Sequence, residues 1–181
     1  SYRFRRHFDG ASSTLKRRGR GRPVAATGLT WSGFRPSDDA CVYGYNVPGN
    51  MFASLVLSRL PQIAQVAPPR SSALIDRATR LRDGIDQGLR EHAVVADAVT
   101  GPRWAYEVDG RGGVLSIDDA NVPSLLSLPR LGYCAIDDPM YQATRAFVLS
   151  PRNRYYYSGT AASGVGSPHT PKRHVWPIAI A

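Results

Sequence analysis

The chain has 181 residues, 43% hydrophobic and 20% charged, which suits one domain with its own core and excludes both a disordered polyelectrolyte and two full domains. It contains no run of about 18 uninterrupted apolar residues, so no membrane-spanning helix is expected. The formal net charge of +9 suggests nucleic acid until it is located: residues 1–22 hold eight Lys or Arg against Asp9 alone, and the remainder balances 15 basic with 13 acidic residues.

Residues 1–22 therefore form a basic N-terminal arm on a near-neutral body, and neither nucleic acid nor a membrane is expected as a partner. Further along, Met51 to Val66 places Phe52, Val56, Leu60 and Ile63 at helical spacing, with Pro61 expected to kink or restart the helix. Ser71 to Val95 is the clearest helix. Leu74, Ala78, Leu81, Ile85 and Leu89 form its apolar stripe, and Ser71 or Ser72 can cap it after Pro68 and Pro69.

Trp104 to Val108 alternates as a strand does, and Asp109-Gly110 with Gly112-Gly113 supplies a turn before Val114 to Ile117, so a β-hairpin is expected. Pro139 to Leu149 reads as a third helix with Met140, Ala143 and Phe147 on one face. The 17 Gly and 14 Pro cluster between these segments and mark long loops. The expected fold class is mainly α with a short β-hairpin.

Cys41 and Cys134 lie in no metal or redox spacing, so two free thiols are expected ahead of one disulfide. The chain does not begin with Met, and Val175 to Ala181 reads as the start of an apolar element that stops without a cap. A piece of a longer protein is the expectation.

Three loops combine polar and aromatic residues: Trp31 to Cys41 with Tyr43, Tyr45 and Asn50; Glu107 to Gly110 with Asp118 to Ser124; and Gly164 to Pro171 with Trp176. The pairs Asp38-Asp39 and Asp118-Asp119 have two readings. Adjacent carboxylates repel, which pushes one toward the protonated form that a general acid needs. The plainer reading makes Asp38 and Asp118 helix N-caps, and capping is also expected at Asp137-Asp138 before Pro139. No calcium-loop pattern, zinc motif or nucleophile elbow is present, and Gly164 to Ser167 fits no phosphate-loop spacing, so no metal or cofactor is expected. Rings beside carboxylates, Asn and Arg are the composition of a sugar pocket, although each aromatic alone also suits a core. Tyr155 to Tyr157 suits either the pocket or a half-buried edge. His169 could serve as a base or a sugar ligand.

In these loops the chain resembles the glycoside hydrolase family 125 enzymes, metal-independent exo-α-1,6-mannosidases. The resemblance rests on Gly33-Phe34-Arg35-Pro36-Ser37-Asp38-Asp39 with Asn50-Met51-Phe52-Ala53, on Glu107-Val108-Asp109-Gly110, on Asp118 through Leu126, and on Gly166-Ser167-Pro168-His169-Thr170-Pro171. It implies an (α/α)6 toroid, incomplete in this chain, with residues 1–181 as part of a single catalytic domain acting on a mannose-containing oligosaccharide or N-glycan. Hydrolysis would invert the anomeric centre. One of Asp38 and Asp39 would protonate the leaving oxygen, with Asp39 preferred. Arg35, Asp118, Asp119, Asn121 and His169 would hold mannose hydroxyls, and Trp31 and Glu107 would join the same pocket.

Two departures accompany the resemblance. The family pattern places its general-base glutamate beyond the Ser-Pro-His-Thr-Pro block, yet this chain ends ten residues after Pro171. Glu91 and Glu107 are the only glutamates, and neither is an obvious substitute. Pro61 also interrupts a helix expected to be continuous in a toroid. The alternative is a catalytically deficient fragment or a non-catalytic mannoside-binding relative.

Overall fold

A computed structural model describes residues 13–66, 72–168 and 170–176. Most of the basic arm, His169 and the apolar C-terminal residues therefore lie outside the described residues. Twelve elements follow in order: α1 (Lys16–Gly19), β1 (Tyr45–Asn46), α2 (Val47–Val66), α3 (Ser72–His92), β2 (Val94–Val95), β3 (Arg103–Trp104), β4 (Glu107–Val108), β5 (Val114–Leu115), α4 (Leu128–Leu131), α5 (Pro139–Val148), β6 (Tyr156–Ser158) and β7 (Ser163–Val165). Helix is the dominant regular structure, joined by small antiparallel sheets and long loops. Among the described residues no barrel closes.

α2 and α3 pack along each other and form the main helical layer. Pro61 does not break α2, which runs continuously from Val47 to Val66. Packing of α2 on its neighbour outweighs the one backbone hydrogen bond that proline removes, because tertiary contacts supply most helical stability. The buried side of α2 also differs from the expected one. Val47, Met51 and Ser54 face the core, whereas Phe52, Val56 and Ile63 are 38%, 44% and 51% exposed. On α3 the expected stripe is buried only at Ala78, Ile85 and Leu89, with Leu74 and Leu81 outside. A hydrogen bond from Ser54 to Asp86 ties the two helices together.

The segment before β1 lies against α3 through glycines. Gly28 has φ +83°, and a Cβ there would sit 2.3 Å from the Gly84 carbonyl oxygen, so only glycine allows this approach. Likewise, a Cβ on Gly44 would meet Trp31 Nε1 at 2.3 Å.

The expected hairpin exists in shortened form. β4 pairs with β5, Glu107 facing Leu115, and β1 adds on the other edge of β4. Trp104 instead belongs to β3 and pairs with Val94 of β2, so the single expected strand is divided between two sheets at Ala105 and Tyr106. Tyr106 is fully buried in the core with Val47, Met51, Val108, Leu125 and Val165. Tyr156 and Tyr157 lie half-buried in the β6–β7 hairpin, matching the edge reading of that run. α5 starts as expected: the Asp138 side chain accepts the Tyr141 N–H, and Pro139 occupies the first turn. Both cysteines are free thiols.

Candidate active site

The loop from Gly33 to Cys41 folds back on itself. Cys41 N–H donates to the Gly33 carbonyl, Arg35 N–H to the Asp39 carbonyl and Asp38 N–H to the Arg35 carbonyl. Asp38 takes φ +65° at the tip, a conformation that Asp tolerates better than most residues. Side chains then alternate along the loop: Arg35, Ser37 and Asp39 are buried, while Pro36 and Asp38 are exposed. Asp38 caps no helix, since α2 starts only at Val47.

β4 carries the loop's anchor. Glu107 is fully buried, and its carboxylate accepts Arg35 Nε–H at 2.5 Å, Val42 N–H at 2.8 Å and Tyr43 N–H at 2.9 Å. Burial opposes the charge of Arg35, but the charge and hydrogen bond of Glu107 outweigh it and hold the guanidinium protonated. Among the described residues, Arg35 Nη2 and Asn46 Nδ2 make no hydrogen bond although both are buried. Both residues line a cavity of about 390 Å³ with Trp31, Phe34, Asn50 and Ala53. Two unused donors beside two aromatic rings suit an oxygen-rich ligand such as a sugar.

Deeper in the site, Ser37 Oγ lies 2.9 Å from Asp39 Oδ2 and 2.9 Å from Asp119 Oδ2. Tyr106 Oη–H donates to Asp119 Oδ1 at 2.8 Å. Asp39 is 2% exposed, and Asp118 and Asp119 are fully buried. The two members of the second acidic pair point to different partners. Asp118 accepts Ala120 N–H and Leu126 N–H, one on each oxygen, and so closes the loop that runs to Leu126. Burial, and then the neighbouring Asp119 charge, push its carboxyl up to about 7. It starts no helix, so the capping alternative fails here as it does at Asp38.

Asn121 fixes the third loop. Its Nδ2–H donates to the Asp119 carbonyl at 3.0 Å, and its Oδ1 accepts Trp176 Nε1–H at 2.8 Å. Trp176 N–H also donates to the Val165 carbonyl, which joins the last described segment to β7. The fold therefore gathers Trp31, Arg35, Asp39, Glu107, Asp118, Asp119 and Asn121 around two connected loops. It leaves Asp38 outside, and His169 lies beyond the described residues. The sequence offers Tyr106 and Trp176 only as aromatic residues close to the polar loops, and it gives Ser37 no separate role. Ser37 had a signal in its place midway between Arg35 and Asp39, at the spacing that puts all three on one side.

Among the described residues no three His, Cys, Asp or Glu side chains gather in a metal-binding cluster. A larger groove of about 620 Å³ runs between α2 and α3 toward Trp104 and Tyr133 and includes none of the carboxylate cluster.

The chain is similar to known proteins along its length. The sequence profile described as metal-independent alpha-mannosidase (GH125) matches residues 1–181. The meiotically up-regulated gene 157 protein of Schizosaccharomyces pombe is 46% identical over 184 residues, covering 99% of this chain and 35% of its own length. A Streptococcus pneumoniae structure, described as a metal-independent alpha mannosidase in a non-productive substrate complex with alpha-1,6-mannobiose, matches with a TM-score of 0.92 and 47% identity, over 98% of this chain and 42% of that one. The chain thus spans about a third of the yeast relative and under half of the bacterial one. With a profile match along its whole length and a near-complete structural match at this identity, the chain belongs to glycoside hydrolase family 125, the metal-independent alpha-mannosidases.

Proposed function

We propose that the protein is an exo-acting α-1,6-mannosidase that releases terminal mannose from an oligosaccharide or N-glycan with inversion, and that this chain supplies its acid side and much of its sugar pocket. The observation that carries the reading is the buried Asp39–Ser37–Asp119 cluster opposite the Arg35–Glu107 pair. Asp39 gives its proton to the glycosidic oxygen as the bond to the anomeric carbon breaks, and a water attacks from the opposite face. Asp119, Asn121, Arg35 and Trp31 hold the sugar, with His169 assigned to the same pocket. Glu107 and Asp118 act by fixing the two loops.

The base that activates the water comes from a glutamate outside these residues. Both oxygens of Glu107 are already engaged by Arg35, Val42 and Tyr43, and exposed Glu91 accepts from Gln87 on α3. Inverting enzymes hold acid and base roughly 6.5–9.5 Å apart to admit the water. The chain then forms part of a single (α/α)6 catalytic domain, with α2 and α3 as one of its helical hairpins. The test is incubation of the full-length protein with α-1,6-mannobiose, followed by proton NMR. First appearance of β-mannose supports the reading, and first appearance of α-mannose overturns inversion.

A second reading is a mannoside-binding relative without turnover, favoured by the engagement of both glutamates elsewhere. Calorimetric binding of mannobiose by the full-length protein with no mannose released would support it.

A further inference from the structure

One hydroxyl touches two buried carboxyls. Ser37 Oγ is 2.9 Å from Asp39 Oδ2 and 2.9 Å from Asp119 Oδ2, and the three residues are at most 4% exposed. A serine hydroxyl has a single hydrogen. If both carboxyls are ionised, one contact is a hydrogen bond and the other sets a lone pair against an anion. Both contacts become hydrogen bonds only when one carboxyl holds a proton and donates it to Ser37 Oγ.

Asp119 is also held by donors other than Ser37. Asp119 Oδ1 also receives the Tyr106 hydroxyl at 2.8 Å and the Asn121 N–H at 3.4 Å, and donors to a carboxylate favour its ionised form. With Asp39 as the acid, the bonds run from Asp39 O–H to Ser37 Oγ, and from Ser37 O–H to Asp119 Oδ2.

We infer that Ser37 is the positioning residue for the proton that Asp39 delivers, holding Asp39 as the donor before the reaction and stabilising its carboxylate afterwards. In the loaded state the Ser37 hydrogen faces Asp119. As the Asp39 O–H bond breaks and the leaving oxygen gains that proton, the Ser37 hydroxyl turns about its Cβ–Oγ bond toward the new Asp39 carboxylate. No covalent bond of Ser37 breaks, and Tyr106 keeps Asp119 supplied with a donor meanwhile. The inference rests on Asp39 being the acid.

The experiment separates the two ideas by leaving group in the full-length protein. α-1,6-Mannobiose needs a proton on its departing alcohol, whereas a dinitrophenyl α-mannoside releases a stable phenolate without one. Asp39→Asn should lose far more activity on mannobiose than on the aryl mannoside; equal losses would overturn the acid assignment and this inference with it. Ser37→Ala should lose about ten- to hundred-fold in kcat on mannobiose and under about threefold on the aryl mannoside. Its alkaline limb of kcat/KM should move to lower pH, because Ser37 satisfies both contacts only when the pair holds a proton. Equal losses with the limb unmoved would leave Asp39 in its role and overturn that of Ser37. Should Ser37→Ala fail to fold, Tyr106→Phe removes a donor from Asp119 and is expected to move the same limb to higher pH; an unmoved limb overturns the coupling.

Discussion

Arg35 Nε–H meets Glu107 Oε1 at 2.5 Å, an ion pair whose two side chains are 3% and 0% exposed and whose residues are 72 positions apart. It joins the Gly33–Cys41 loop to the central strand of the three-stranded sheet, and Glu107 reinforces the joint by accepting two further amides. Removing the negative partner leaves a buried guanidinium without compensation. Glu107→Gln is expected to cost roughly 3–5 kcal/mol in urea unfolding. A loss below about 1 kcal/mol would mean that water reaches the pair.

The alternation that buries Asp39 and exposes Asp38 separates two neighbours of identical chemistry. In the full-length protein, Asp39→Asn should lower mannose release about 10²–10⁴-fold. Asp38→Asn should leave it within about threefold, since its side chain points to solvent. A larger loss from the Asp38 variant would reverse the assignment.

Asp118 gives stability a pH dependence. Its carboxyl lies at about 7 in the fold, raised first by burial and then by Asp119, against about 3.9 in an unfolded chain. As pH rises past the lower value the unfolded chain releases the proton first, so stability is complete below about pH 4 and declines through about pH 7. Asp118→Asn should flatten this decline while costing about 1–3 kcal/mol near pH 4, because one of two backbone donors loses its acceptor. Urea midpoints between pH 4 and 8 read both effects.

The thiols are expected to be unreactive in the fold. Burial, and then the Asp138 charge, push Cys134 up to about 11; burial and then Glu107 push Cys41 higher still. The thiolate is the nucleophile, so disulfide reagents at pH 8 should label Cys134 about a hundred-fold more slowly than a free thiol. Cys41 should react only on unfolding. Rapid labelling of either would place it at the surface.

Trp176 ties the last described segment to the acidic loop through Asn121. Trp176→Phe keeps a ring and removes the donor, with an expected stability loss of about 1 kcal/mol. In the full-length protein it should raise KM for mannobiose more than it lowers kcat, because the proposed role of Asn121 is to position sugar, with no part in proton transfer. A kcat loss with unchanged KM would contradict that role.

Much of this was legible in the order of residues. Helical periodicity located α3 and α5, Asp138-Pro139 marked a helix start, and the Asp-Gly and Gly-Gly turns marked the β4–β5 hairpin, because these signals act over a few residues. The acidic pairs and their aromatic neighbours suggest a sugar pocket for the same local reason, and four ordered blocks carry the family resemblance that the profile match bears out. Other features depended on contacts between distant segments. Periodicity along α2 could not tell which side meets α3, so Phe52, Val56 and Ile63 read as core yet face outward. The partners within each acidic pair were likewise hidden until Ser37 came to lie between Asp39 and Asp119, while Asp118 turned to its own loop's backbone. Two adjacent aspartates are the same chemical group until burial and hydrogen-bond donors distinguish them, and one of those donors, Ser37, lies 82 residues from Asp119 in the chain.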